Sequence, residues 1–336
     1  MTKLAVMGSG SWGTAFGALA VTAGSETVLW ARRPEVAAEV RDCNTNAAYL
    51  PDVALPPLLH ATADPTEALA GADVVVVAVP STGVAEQLEA WGDQIGPDAT
   101  LVSLIKGVDV QTRRFGSQTI AGTLDIDPSR VVVVSGPNLA RECAKGYPAA
   151  TVAAGQDQAR TAQVQAAVMC PTFRVYTSPD RIGVEVGGAV KNVLAIASGM
   201  AFGRGFGDNT TAMVITRGLA EMMRLGVALG GDTLTFSGLA GVGDLIATCT
   251  STQSRNQTVG RRLGAGETLD DIISDMNMVA EGVKSSKAIL ALAEEAGVEM
   301  PISEAVVSVL HHGVEIDTMT AGLLARRAKP EHYGLD

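Results

Sequence analysis

The chain has 336 residues, 47% of them hydrophobic and 18% charged, which is enough apolar material for two cores and excludes long disordered stretches. Its formal charge of −11 repels polyanions, and aromatics at 4% leave few stacking platforms, so nucleic acid is not an expected partner. A small anionic substrate would need a local cluster of Lys and Arg working against that field.

From residue 3 to about 155, short apolar runs alternate with helical patterns. "KLAVMG" predicts a strand and is followed by a helix over about 11–23. "TVLWA" precedes a helix near 34–41, "ADVVVVAVP" one near 82–91, and "TLVSLIKG" one near 112–122, before a further strand at "RVVVVSGP". After "TVAAG" and a helix around 157–169, "FRVYTSP" at 173–179 reads as the last strand, and Pro179 punctuates the chain. The alternation predicts a doubly wound parallel sheet. Beyond it, apolar residues at helical spacing predict helices over 181–203, 208–229, 234–250, 268–274, 281–297 and 301–313. Two domains follow, 1–179 and 180–336, the second almost entirely helical.

The longest aliphatic runs, "VVVVAV" at 74–79 and "VVVV" at 131–134, suit buried parallel strands and are far too short to cross a bilayer, so no transmembrane segment is expected. The first residues lack a secretory apolar region, which predicts a cytoplasmic protein. Cys43, Cys143, Cys170 and Cys249 show no C-x-x-C spacing and are expected to be buried free thiols. His60, His311, His312 and His332 have no ligand spacing and read as surface or packing residues, the eleven Met as core fillers; no metal is implied.

Gly8, Gly10 and Gly13 follow a predicted strand and open a predicted helix, the setting in which G-x-G-x-x-G binds a dinucleotide. Gly8 permits the tight turn, Gly10 lets backbone approach a pyrophosphate, and Gly13 lets helix and sheet pack closely. This makes 1–179 a dinucleotide-binding domain. At the end of the second strand, where an acid would grip a ribose hydroxyl, the sequence has Ala31, Arg32 and Arg33. Paired arginines suit the 2′-phosphate of NADP; two surface charges flanking a loop are the alternative.

Three stretches offer chemistry. "LIKG" puts Lys106 just past a strand, at the edge where open α/β sheets bind ligands. "GGAVKNVLAIASG" puts Lys191 and Asn192 on a helix of small residues, where another element can approach closely. "GLAGVGDLIATCTSTQSRN" puts Asp244 after a glycine turn, Thr248 four residues on and on the same helical face, then Ser254, Arg255 and Asn256. Carbonyl reduction needs a proton donor and a cation beside the developing alkoxide, and lysine supplies both. Arg255 with its polar neighbours offers what a phosphate monoester wants.

Together, "GSGSWGTAFG", "KG", "SGPNLARE", "GGAVKNVLAIASG", "GVGDLIATC", "SRN" and "VAEG" resemble the bacterial glycerol-3-phosphate dehydrogenase family, NAD(P)-dependent enzymes that reduce dihydroxyacetone phosphate to sn-glycerol 3-phosphate. The resemblance covers nearly the whole chain. It implies an α/β N-terminal Rossmann-type doubly wound sheet plus an all-α C-terminal substrate and catalytic domain like that of 6-phosphogluconate dehydrogenase, in a homodimer. It implies Lys191 as general acid/base, with Lys106 beside the substrate and Asp244 and Thr248 completing the polar site. With Lys106, Lys191 and Asp244, the residues Gly136, Asn138, Ser254, Arg255 and Asn256 would hold glycerol phosphate. Besides the three glycines, Ser11, Trp12, Arg32, Arg33, Lys106, Ala140, Arg255, Val279 and Glu281 would line the cofactor, with NADPH preferred and NADH possible. The implied use is supply of the phospholipid backbone. One departure is "GPNLA", where the family has G-P-[Ser/Thr]-F-A, so Asn138 replaces a hydroxyl and Leu139 an aromatic. A related β-hydroxyacid or ketopantoate-type reductase lacks a role for Ser254, Arg255 and Asn256. A silent dinucleotide sensor would not need both lysines and Asp244.

Overall fold

The computed structural model describes residues 1–276, 280–331, 333 and 334, in two compact units. One comprises Met1–Lys106 with Arg114–Arg181, the other Gly107–Arg113 with Ile182–Asp336.

The first unit is built on β1 (Lys3–Met7), β2 (Glu26–Trp30), β3 (His60–Thr62), β4 (Val74–Val77), β5 (Thr100–Ser103), β6 (Val131–Ser135), β7 (Ala149–Ala154) and β8 (Phe173–Ser178). They form one sheet in the order β3-β2-β1-β4-β5-β6-β7-β8. Alternate residues of each strand point to opposite faces, so Leu4 and Val6 with Val74 and Val76 enter one core beside Phe16 and Leu19. Ala5 and Met7 with Val75 and Val77 enter the other, beside Leu88 and Trp91. Helices α1 (Ser11–Thr22), α2 (Pro34–Cys43), α3 (Pro65–Leu69), α4 (Val84–Trp91), α5 (Gly116–Leu124), α6 (Ala140–Ala144) and α7 (Gln158–Val168) complete the unit.

The sheet is parallel from β3 through β6, but β7 runs antiparallel to β6, and β8 parallel to β7. The expected doubly wound sheet is thus mostly parallel, with the β6–β7 pairing antiparallel. The β6–β7 connection contains only the five-residue α6, too short to carry the chain across the sheet for a parallel return. The short β3, α3 and α6 were not expected, because three to five residues show no period.

From residue 182 onward, the regular elements among the second unit's described residues are all helices: α8 (Arg181–Gly203), α9 (Asp208–Ala228), α10 (Thr233–Phe236), α11 (Asp244–Thr250), α12 (Arg255–Gly264), α13 (Leu269–Asp275), α14 (Glu281–Glu295), α15 (Pro301–His312) and α16 (Ile316–Leu324). The expected helix over 234–250 is broken by a wide turn at Leu239–Gly243, where Gly241 leaves helical geometry at φ −100° and ψ −105°. By length and a mean hydropathy of 1.3, α8 could cross a membrane, although polar residues interrupt its aliphatic runs; 83% of that stretch is buried, and it is the unit's core helix. Its small residues let α12 approach backbone to backbone. A Cβ on Gly199 would overlap the Gln257 carbonyl oxygen, one on Gly260 that of Ile196, and one on Gly264 would come 2.5 Å from that of Met200.

Glu221 on α9, 1% exposed, caps α15 from a distance, accepting from the backbone N–H of Ile302 at 2.6 Å and of Ser303 at 3.2 Å. Burial pushes its carboxyl up to about 7 against these hydrogen bonds and the Arg224 charge. All four cysteines are free, but Cys43 is exposed rather than buried, because it ends the amphipathic α2 on its outer side.

Candidate active site

In the first unit the glycine turn is closed at two positions and open at one. Gly8 has φ +133°, and a Cβ there would lie 2.5 Å from the Ala78 carbonyl oxygen; a Cβ on Gly13 would overlap the carbonyl of Gly8. Around Gly10 a Cβ would meet nothing within 4 Å. No side chain caps α1 at Gly10, and no acid stands in its first turn, so its N-terminal N–H groups and dipole favour an anion. The turn is pinned by Asn46, fully buried, whose Nδ2 donates to the Ser9 carbonyl and to Thr14 Oγ1, each at 2.9 Å.

Ser11 Oγ donates to the Tyr49 carbonyl at 2.7 Å, and the Trp12 indole packs edge-on to Phe16 at 5.8 Å. Beyond β2, the Ala31 N–H donates to the Thr62 carbonyl at 2.9 Å, leaving Arg32 and Arg33 exposed. Arg33 opens α2, with its guanidinium 5.4 Å from the centre of the Tyr49 ring and 3.7 Å from Glu35. Tyr49 therefore touches both Ser11 and Arg33; neither it nor Asn46 was singled out in the sequence, where both sit in an unpatterned loop. An open Gly10, an uncapped helix and two arginines with no acid at the end of β2 together fit a dinucleotide.

Lys106, just past β5, donates from Nζ to the Gly136 carbonyl at 2.9 Å. The backbone N–H of Asn138 donates to the same oxygen at 2.7 Å. The Asn138 side chain is engaged at both ends, with Nδ2 donating to the Ala150 carbonyl at 3.0 Å and Oδ1 accepting from Thr151 Oγ1 at 2.8 Å. Ala140 is the first residue of α6.

In the second unit Lys191 lies mid-way along α8, 5% exposed, and Asp244 is 2% exposed. Lys191 Nζ donates to Asp244 Oδ1 at 2.6 Å and to Thr248 Oγ1 at 2.8 Å. The Thr248 hydroxyl donates in turn to the Asp244 carbonyl at 2.6 Å, which turns a lone pair toward the lysine. The meeting is made possible by Gly187, one turn before Lys191, where a Cβ would overlap the Ala240 carbonyl of the wide turn. A cation and an anion are thus held together out of water, an arrangement that stands only when paired. Beside them, burial pushes the Cys249 thiol up to about 12, so it is neutral.

Ser254 caps α12, its Oγ accepting from the Gln257 N–H at 3.3 Å. Arg255 keeps solvent access but stands among many protein atoms, and that crowding lowers its guanidinium from its ordinary value while Glu281 acts in the opposite direction. Glu281 opens α14. Asn256 is buried and donates from Nδ2 to Asn192 Oδ1 at 2.9 Å, while its Oδ1 accepts from the Gly282 N–H at 2.9 Å. Val279, expected at the cofactor, and His332 lie outside the described residues.

Residues 3–161 match the family described as NAD-dependent glycerol-3-phosphate dehydrogenase N-terminus, and residues 180–321 its C-terminus. The chain belongs to the NAD-dependent glycerol-3-phosphate dehydrogenase family. It is 54% identical, over 98% of its length and the whole of the relative, to glycerol-3-phosphate dehydrogenase (NAD(P)+) of Corynebacterium jeikeium. A relative of the same name from Thermobifida fusca is 51% identical over the full length of both. Among solved structures, the glycerol-3-phosphate dehydrogenase of Coxiella burnetii superposes with a TM-score of 0.91 at 34% identity, covering 97% of this chain and 99% of that one. In this chain the first unit carries the mostly parallel α/β sheet and the second the helical domain.

Proposed function

We propose that the buried cluster of Lys191, Asp244 and Thr248 is the proton-transfer centre of the family's reaction in this chain. The chain is an NAD(P)-dependent glycerol-3-phosphate dehydrogenase that reduces dihydroxyacetone phosphate to glycerol 3-phosphate. The bound reduced nicotinamide supplies the hydride that converts the carbonyl carbon to a carbinol. Lys191 gives the proton to the carbonyl oxygen, and in the reverse direction takes it back. Asp244 and Thr248 fix where the ammonium stands, and the pair with Asp244 lets the charge be held without water.

Arg255, with Ser254 at the start of α12, takes the substrate phosphate, since its guanidinium stays charged and solvent-reachable. In the first unit Lys106 stands over the Gly136 corner and is a further cation for the substrate. We assign Asn138 to bracing that corner rather than to the substrate, because both ends of its amide are already engaged. On the first unit, the glycine turn and α1 with Ser11, Trp12 and Ala140 would hold the cofactor, with Tyr49 supporting Arg33. Arg32 and Arg33 favour NADPH, NADH being the weaker alternative.

A homodimer is part of the same reading. What supports it is α16, none of whose nine residues is buried although Ile316, Met319, Leu323 and Leu324 are apolar. A cytoplasmic location suits four free thiols, and supply of glycerol phosphate to phospholipid synthesis suits the direction of reduction.

The observation that carries the assignment is the burial of Lys191 against Asp244. Its test is steady-state reduction of dihydroxyacetone phosphate by the wild type and Lys191→Ala. The variant should bind cofactor normally and lose about two to four orders of magnitude in kcat, the share of a positioned acid. Near-normal turnover of the folded variant would refute the assignment.

A further inference from the structure

The antiparallel return of β7 brings two of its residues onto the corner that follows β6. Ser135, the last residue of β6, pairs with Val152, so the register sets Gly136 opposite Thr151. The two backbones lie in close contact: a Cβ on Gly136 would stand 2.9 Å from the Thr151 Cα and 3.2 Å from the Ala150 carbonyl oxygen. At the corner the Gly136 carbonyl accepts twice, from Lys106 Nζ at 2.9 Å and from the Asn138 N–H at 2.7 Å, so both of its lone pairs are used. The Asn138 side chain then ties the corner to β7. Its Nδ2 donates to the Ala150 carbonyl at 3.0 Å, and its Oδ1 accepts from Thr151 Oγ1 at 2.8 Å. Thr151 is fully buried, which keeps water from competing for its hydroxyl. The Ala150 carbonyl can only accept, so the amide is held in one orientation, with its oxygen toward Thr151.

We infer that Thr151 is a positioning residue for Lys106: its hydroxyl fixes the Asn138 amide, the amide fixes the corner from Gly136 to Asn138, and the corner carbonyl fixes where the ammonium stands. Every contact in this series lies within the first unit. It also gives the departure at position 138 a physical reason. The Oδ1 of an asparagine can only accept and needs a donor facing it, whereas a serine hydroxyl can donate or accept. Asparagine at 138 therefore calls for a hydroxyl such as that of Thr151, and serine does not. Valine nearly keeps the shape of threonine but has no hydroxyl. Thr151→Val thus removes the donor, leaves Oδ1 short of a partner and frees the amide to turn.

The inference rests on the reading of Lys106 as a cation for the substrate, and two measurements keep the two apart. The first is the rate at which an N-hydroxysuccinimide ester of acetate labels Lys106 in the folded protein, followed by peptide mass spectrometry, with the exposed Lys284 and Lys287 as internal standards. The second is steady-state reduction of dihydroxyacetone phosphate at saturating NADPH. Both are made on the wild type, Thr151→Val, Thr151→Ser, Asn138→Ser and the Asn138→Ser, Thr151→Val double variant, with thermal melts of each. In Thr151→Val, labelling of Lys106 should quicken and KM for dihydroxyacetone phosphate should rise, each about five- to tenfold, with kcat within about threefold, and Thr151→Ser should restore both. In the Asn138→Ser background the valine should add nothing, since the amide it would release is already gone. Unchanged labelling of Lys106 in Thr151→Val overturns the inference, and so does a valine effect of equal size in both backgrounds. If Thr151→Ser is as impaired as Thr151→Val, Thr151 is a packing residue and the inference fails. Faster labelling with an unchanged KM upholds Thr151 as the residue that sets Lys106 and refutes the lysine's part in holding the substrate.

Discussion

Arg32 and Arg33 stand in water at the end of β2, and Tyr49 lies against the second of them. Each charge-assisted hydrogen bond to a 2′-phosphate contributes about 1.5–3 kcal/mol, less where solvent screens it. Replacing both arginines with alanine should weaken NADPH binding about ten- to a hundredfold and change NADH binding little, as calorimetric titration at two salt concentrations would measure; equal loss of both cofactors would rule this out. Glu221 makes a different prediction. Its folded value of about 7 exceeds the ordinary 4.5, so the unfolded chain releases this proton first. Stability from this group is therefore full below about pH 4.5 and is lost as pH rises toward 7, by on the order of 3 kcal/mol. In Glu221→Gln that decline should be missing from melts taken between pH 5 and 8. At this scale the sequence is legible where function rests on local spacing. The glycine turn is one case, and Thr248 four residues after Asp244 is another. The meeting of that pair with Lys191, 53 residues before Asp244, is implied by family resemblance alone. Asn46 and the Asn192–Asn256 contact, which link positions 32 and 64 residues apart, leave no local trace.

Between elements, the decisive contact is the glycine seam of α8 and α12. Gly260→Ala would drive a methyl into the Ile196 carbonyl, and the two helices must separate to admit it. We expect a loss of about 2–3 kcal/mol or more in denaturant titrations, together with reduced activity because α8 also carries Lys191. The control is Gly322→Ala on α16, where a Cβ meets nothing within 4 Å, and a gain of about 0.5–1 kcal/mol is expected from helix propensity. If both substitutions behave alike, the seam is not what holds the pair. Long elements were readable from period: α8 spans the expected 181–203, and α9 closes within a residue of its expected end. The break in 234–250 was not, because apolar residues keep helical spacing through Gly238, Gly241 and Gly243. Only the closeness of Phe236 and of α8 makes those glycines a turn.

For the molecule as a whole, the change from alternating runs to helical periods near Pro179 lies close to the point where the compact units divide, after Arg181. The return of residues 107–113 to the second unit could not be read, since a short polar loop carries no period. The second unit also holds a groove of about 750 Å³ lined by α9, α15, α16 and the segment after it. Met213 in this groove is 47% exposed and Leu324 70%. If a second copy covers this face, Met213→Asp with Leu324→Asp should bring the sedimentation mass from twice the chain mass to once, with the melting temperature of the remaining monomer measured alongside. A wild type that sediments as a monomer would contradict the dimer.

The core helix α8 has one more consequence, for the chain as it leaves the ribosome. Residues 181–203 emerge before the glycines of α12 exist to cover them, and among the described residues they form a helix long and apolar enough to cross a membrane. Three charges stand in it, Arg181 at its start with Glu185 and Lys191 further in, and a charged side chain near the middle of such a helix costs about 2.5–3.5 kcal/mol on insertion into a bilayer. The lysine assigned to proton transfer thus also adds to the cost of placing this helix in lipid. Replacing it with an apolar residue would remove that cost as well as the proton donor.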